Sequence, residues 1–203
     1  MKKLHRTICY TCYRPTTSCM CSYISALETQ TRFIILMHPK EFKKTKNGTG
    51  HFTHLSLKNS EIHIGVDFSK NSAINSIIDD PNNICYVLYP SKDSINLNKT
   101  KIGSNKKRTV LFLIDSTWPC SRSILQHSPN IQGLEKLSFT HTKRSNFTFK
   151  QQPEAYCLST IESTLCVLEL LNKHKLEALE PKSLEGFLLP FEKMVEYQLS
   201  CNK

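Results

Sequence analysis

Four cysteines, Cys9, Cys12, Cys19 and Cys21, fall within thirteen residues as C-x2-C-x6-C-x-C. Four thiolates suit a tetrahedral Zn²⁺ at about 2.3 Å per bond. The first pair has the spacing of a metal knuckle. The C-x-C pair is tighter but can still chelate, and Arg14 and Pro15 shape the turn between the pairs. With all four positions taken by cysteine no site stays open for water, so the expected role is structural. A metal there would hold together a segment too short for its own core. The competing reading is four structural or reactive thiols without metal. The chain has nine cysteines, an odd number. In a reducing compartment their clustering suggests a metal site, not disulfides.

A second constellation lies in "LFLIDSTWPC", Leu111 to Cys120, where an apolar run ends on Asp115 and the single tryptophan, Trp118, follows. In parallel α/β sheets ligands sit at the carboxyl ends of strands. Asp115 therefore has two readings. It is an N-cap for a helix opening at Pro119, a task Ser116 or Thr117 could fill equally, or it is a catalytic or ligand-binding group. Trp118 either anchors that helix or stacks a base. Other strand ends marked by proline or polar residues are His38-Pro39 and Tyr89-Pro90.

The elements that must position these residues read as an α/β alternation. Strands are predicted at Arg32–Pro39, Glu61–Phe68, Ile84–Pro90, Thr109–Ser116 and Leu134–Thr140. The unbroken apolar middle of the fourth implies cover on both faces, as in a parallel sheet. Helices are predicted at His51–Asn59, Ser72–Asp80, Pro119–His127, from Pro153 through a stripe of Leu158, Ile161, Leu165, Leu168 and Leu171, and at Lys182–Leu199. Ser91 to Arg108 reads as a polar, lysine-rich connection. The fold class is thus α/β with a mainly parallel sheet and flanking helices, plus the knuckle. Residues 1–25 form the Cys-rich unit and 26–203 the main domain.

Net charge is +10, from 27 basic and 17 acidic residues, which favours a polyanionic partner such as nucleic acid. Basic residues cluster at Lys40, Lys43, Lys44 and Lys46, at Lys99 to Arg108, and at Lys143, Arg144 and Lys150. No apolar run is long enough to span a bilayer, and no apolar stretch follows the basic start. A cytoplasmic protein with no membrane association and no obligate protein partner is expected. The sequons at Asn47, Asn98 and Asn146 are then chance matches.

Taken in order, these segments resemble the DTW-domain family, whose Asp-x-x-Trp motif is matched by "DSTW" at Asp115 to Trp118. "CYTCYRPTTSCMC" is similar to that family's Cys-rich opening. "MHPKE" (Met37 to Glu41) with "NGTG" (Asn47 to Gly50) resembles its His-Pro-x-Glu and Asn-Thr-Gly segments. "LYPS" (Leu88 to Ser91), Arg122 and "CLSTIES" (Cys157 to Ser163) match further blocks. The chain departs from the pattern at Lys150, where Arg is usual, at Ser163, where Ala is usual, and by one extra residue in "NGTG".

The resemblance implies a SPOUT-like, trefoil-knotted fold. It also implies a tRNA-uridine aminocarboxypropyltransferase, which moves the 3-amino-3-carboxypropyl group of S-adenosylmethionine to N3 of a uridine in tRNA. On that basis Asp115 and Trp118 are the catalytic candidates, with Glu41 as an alternative base. Leu88, Tyr89, Pro90, Ile114, Ser116, Thr117, Ser159 and Thr160 are candidates for holding S-adenosylmethionine. Arg122, Lys143, Arg144 and Lys150 are candidates for tRNA contact, and the four cysteines for structural zinc. Glu162 has two readings, a cofactor or RNA contact or an ordinary polar residue near a helix N-terminus. His38, His51 and His54 are RNA or substrate contacts in one reading and packing or surface residues in the other. Three rival functions remain: an S-adenosylmethionine-dependent RNA methyltransferase on the same fold, the same group transfer acting on rRNA, and a non-catalytic zinc-bearing RNA-binding module.

Overall fold

The computed structural model of the chain describes residues 7–43, 48–103, 107–141 and 158–201. Among them six strands build one sheet in the order β2-β1-β5-β3-β6-β4, with every pairing parallel. The strands are β1 (Arg32–Met37), β2 (Ser60–Ile64), β3 (Asn83–Leu88), β4 (Ile95–Asn96), β5 (Arg108–Asp115) and β6 (Glu135–Ser138). The helices are α1 (Pro39–Phe42), α2 (Thr49–Leu55), α3 (Ser72–Asp79), α4 (Trp118–His127), α5 (Pro129–Gln132), α6 (Thr160–Lys173), α7 (Pro181–Glu185) and α8 (Leu189–Cys201).

The parallel pairing explains the unbroken apolar strands. In β1 and β5 alternate side chains enter two different cores. Phe33, Ile35, Leu111 and Leu113 meet apolar residues of α2, α6 and α8 on one face. Ile34, Leu36, Val110 and Phe112 meet those of α3, α4 and α5 on the other. Each strand is buried on both sides, so its sequence shows no polar alternation. The same alternation has a consequence at the end of β5. Asp115 follows Leu111 and Leu113 by steps of two, which directs it to the face covered by α2 and α6.

The N-terminal segment docks on that face too. Met20 is buried in the same core as Phe52 and Met194. Antiparallel bridging of Ile8 with Pro15 closes the first cysteine turn.

Three expectations change, and two further short helices are added. The helix expected from Pro153 begins at Thr160, and Leu158 precedes it; residues 151–157 lie outside the described part. Its start is set by a capping box: the N–H and Oγ–H of Ser159 both donate to Glu162 Oε2, at 2.8 and 2.6 Å. The last helix is broken into α7 and α8, because Gly186 ends the first and Pro190 opens the second. The lysine-rich connection contains β4, a two-residue edge strand too short to show periodicity. One-turn helices α1 and α5 each start on a proline. None of the described helices is long and apolar enough to cross a membrane.

Candidate active site and metal centre

Because all pairings are parallel, the carboxyl ends of β3, β5 and β6 open on the same edge of the sheet. Together with the first turns of α4 and α6 they enclose a cavity of about 460 Å³, within the size range of small-molecule sites. Leu88, Tyr89 and Pro90 supply the β3 wall, Ile114 and Ser116 the β5 wall, and Trp118 and Ser121 the α4 wall. Thr160 and Ser163 close it from α6. The lining mixes aromatic rings with hydroxyl groups. Tyr89 and Trp118 meet edge to face at 6.0 Å between centroids, and Trp118 stays 42% exposed at the rim. Trp118 is therefore a wall of the cavity and not a buried anchor of its helix.

Of the predicted ligand-binding residues, Leu88, Tyr89, Pro90, Ile114, Ser116 and Thr160 come together here. Thr117 is exposed and holds the N-cap position of α4, without a side-chain cap bond. Ser159 is used in the capping box of α6. Arg122 is exposed on α4, and Lys143, Arg144 and Lys150 lie outside the described residues.

Asp115 does not cap α4. Its carboxylate Oδ1 instead accepts a 2.6 Å hydrogen bond from Thr160 Oγ1. Asp115 is buried behind the lining, and Thr160 connects it to the cavity. Its backbone carbonyl accepts from His38 N–H at 3.1 Å, locking the ends of β1 and β5 together. On its far side α2 comes so close that a Cβ at Gly50 would lie 2.6 Å from Asp115 Cγ and 2.9 Å from Met37 Cε. Glycine is thus required for the close approach. Glu41 is also buried but is not part of the cavity wall.

Sequence reading missed the β6 contribution, Ser138, Phe139, Thr140 and His141. The polar end of that strand carried the same kind of signal as the ends of β3 and β5.

The four knuckle sulfurs of Cys9, Cys12, Cys19 and Cys21 all lie within 4.8 Å of one another. Cys9 Sγ stands 3.7 Å from Cys21 Sγ, and Cys12 Sγ 3.8 Å from Cys19 Sγ. The edge of a tetrahedron with bonds of about 2.3 Å is about 3.8 Å, so the donor set fits a four-coordinate metal ion. The N–H groups of Cys12 and Thr11 hold the Cys9 thiol down to about 6, which readies one thiolate as a ligand. Burial pushes the Cys21 thiol up. Tyr13 sits in the left-handed region at φ 57°. There its N–H reaches Cys9 O and Cys9 N–H reaches Arg14 O, each at 2.8 Å.

Arg14 joins the knuckle to the domain. Only 2% exposed, its guanidinium carbon lies 4.4 Å above the Phe52 ring of α2. Burial lowers its pKa to about 10, with Cys12 and Cys19 pulling the other way.

The DTW domain family matches residues 6–199. A tRNA-uridine aminocarboxypropyltransferase 2 of Drosophila melanogaster is 29% identical, over 96% of this chain and 76% of that protein. Proteins of the same name from Macaca fascicularis and Mus musculus are 24% identical, over 96% of this chain. The chain spans 64% of the length of each of those two. No solved structure matches the chain.

Proposed function

The chain belongs to the DTW domain family, and from that premise we propose that it is a tRNA-uridine aminocarboxypropyltransferase using S-adenosylmethionine. The relatives' names support the activity. The observation that carries the residue assignment is the Asp115–Thr160 hydrogen bond at the wall of the cavity.

The sulfonium co-substrate supplies an electrophilic γ-carbon and leaves as neutral methylthioadenosine. Uridine N3 forms the new C–N bond as the C–S bond breaks, and the bonding pair returns to sulfur. The protein must then take the N3 proton, present the γ-carbon instead of the methyl group, and keep the site dry. Thr160 Oγ1 already donates to Asp115, which leaves its oxygen lone pairs for the cavity. In the proposed relay Thr160 accepts the N3 proton as it passes its own to Asp115. Asp115 is preferred over Glu41 because Thr160 links it to the cavity. Tyr89, Trp118 and Phe139 are suited to hold the adenine and exclude water. Ser116 and Ser121, bonded to each other at 2.8 Å, offer hydroxyls to the polar end of the co-substrate.

We also infer that Cys9, Cys12, Cys19 and Cys21 hold a structural Zn²⁺, and that the sheet is SPOUT-like with a knotted C-terminal part.

Incubation with S-adenosylmethionine and unmodified tRNA, digestion to nucleosides and mass spectrometry test the reading. Aminocarboxypropyl-uridine and methylthioadenosine are expected together. Thr160→Val should slow their formation by about tenfold to a hundredfold, the size of a lost hydrogen bond to a charged group. A methylated nucleoside with S-adenosylhomocysteine would instead mark a methyltransferase, and neither product an RNA-binding module.

A further inference from the structure

Lys40, Lys43 and the rings around the knuckle play no part in the cavity, and Phe42 between those lysines joins the rings on one surface. Tyr13 from the cysteine turn and Phe42 from α1 both pack on His51 of α2. Their ring centroids lie 5.6 Å from the imidazole, with interplanar angles of 52° and 47°. His51 is buried, while Tyr13 and Phe42 remain 48% and 38% exposed and Tyr10 beside them in sequence is 90% exposed. Tyrosine stands at a left-handed position where glycine would be least strained. Lys40 and Lys43 flank Phe42 and are exposed, and Lys44 and Lys46 follow in sequence.

We propose that the Tyr13–His51–Phe42 surface is a base-stacking subsite that holds an unpaired nucleotide of the RNA beside the reacting uridine. This rests on the tRNA reading above. Rings interleaved with lysines are the pattern of single-strand binding, where the faces stack on bases and the cations track phosphates. A protein partner fits less well, since lysine is depleted in protein interfaces. Position supports the role. Asp115 stands between the two sites, with Oδ1 on Thr160 of the cavity and its carboxylate against Gly50, the residue before His51.

The test measures the affinity of full-length protein for unmodified tRNA by fluorescence anisotropy over a series of salt concentrations. Tyr13→Ala and Phe42→Ala should each weaken binding about tenfold. The slope of log affinity against log salt should not change, because no phosphate contact is removed. Phe42→Tyr should bind within about twofold of wild type, since the stacking face is kept. Lys40→Ala and Lys43→Ala should each reduce the slope by about one. Phe42 lies outside the cysteine segment, so its variant retains the metal site, and metal content is measured for Tyr13→Ala. Wild-type affinity in both alanine variants overturns the subsite, as does a loss accompanied by a smaller slope. A wild type that binds tRNA without modifying it removes the chemical reading, while the same binding series still decides the subsite. A wild type that binds no tRNA removes both.

Discussion

The cysteine knuckle and the Asp115 site are built on opposite plans. The knuckle is local: its four cysteines lie within thirteen residues, and in the proposed reading a bound metal orders that segment. The Asp115 site is assembled from distant parts of the chain. Asp115 sits at the end of β5, its hydrogen-bond donor comes from α6, and the glycine behind it from α2. No metal is needed to hold these together, because β5 is the centre of a sheet covered on both faces. The difference teaches where each region is fragile. In the proposed reading the first fails when its metal is removed, and the second when a single atom is added at a close contact.

The largest effect that separates them should come from Asp115→Asn. The amide can still accept from Thr160 but cannot take a proton. Turnover should fall by about 10²- to 10⁴-fold, with the thermal midpoint nearly unchanged. A large loss of stability would instead make Asp115 a structural partner of Thr160.

Gly50→Ala comes next. The added methyl displaces the Asp115 carboxylate or Met37, and such overpacking costs about 1–3 kcal/mol. Turnover should suffer more than stability, as read from urea midpoints and initial rates on the same preparation. Loss of stability alone would mean that the methyl is absorbed away from Asp115.

Metal removal by a strong chelator should act on the other region. Hydrogen exchange is expected to quicken in residues 9–21 and to stay slow in β5. Equal loosening in both would show that the knuckle, through Arg14 and Phe52, holds the whole face.

The smallest effect concerns pH. Burial lowers the pKa of His51 and of His54 below 6.5. The unfolded chain therefore binds protons that the fold excludes, so stability is complete above about 6.5 and falls as pH drops below it. Denaturation at pH 7 and pH 5.5 measures this, and His51→Gln should shrink the difference. An unchanged difference would place the effect elsewhere.

Patterns confined to short stretches could be read from the residues alone. The cysteine spacing marks a candidate ligand set before any fold exists. Five of the six strands and the α/β alternation follow from short apolar or alternating stretches, and the unbroken apolar middle of β5 points to the parallel sheet. Strand-end logic also brought out Tyr89, Ser116 and Trp118. The capping box Ser159-x-x-Glu162 is equally local, and it sets the start of α6 at Thr160.

What depended on tertiary structure is which distant residues meet. Whether Asp115 caps a helix or bonds Thr160 is decided by the pleat, which directs it away from α4 and towards α6. Gly50 becomes indispensable only because α2 crosses the end of β5. Tyr13, Phe42 and His51 share a surface only because the knuckle docks on α2. A chain's local pattern sets which elements form and which faces are apolar. The contacts between faces depend on strand order, and strand order is encoded in no short stretch of residues.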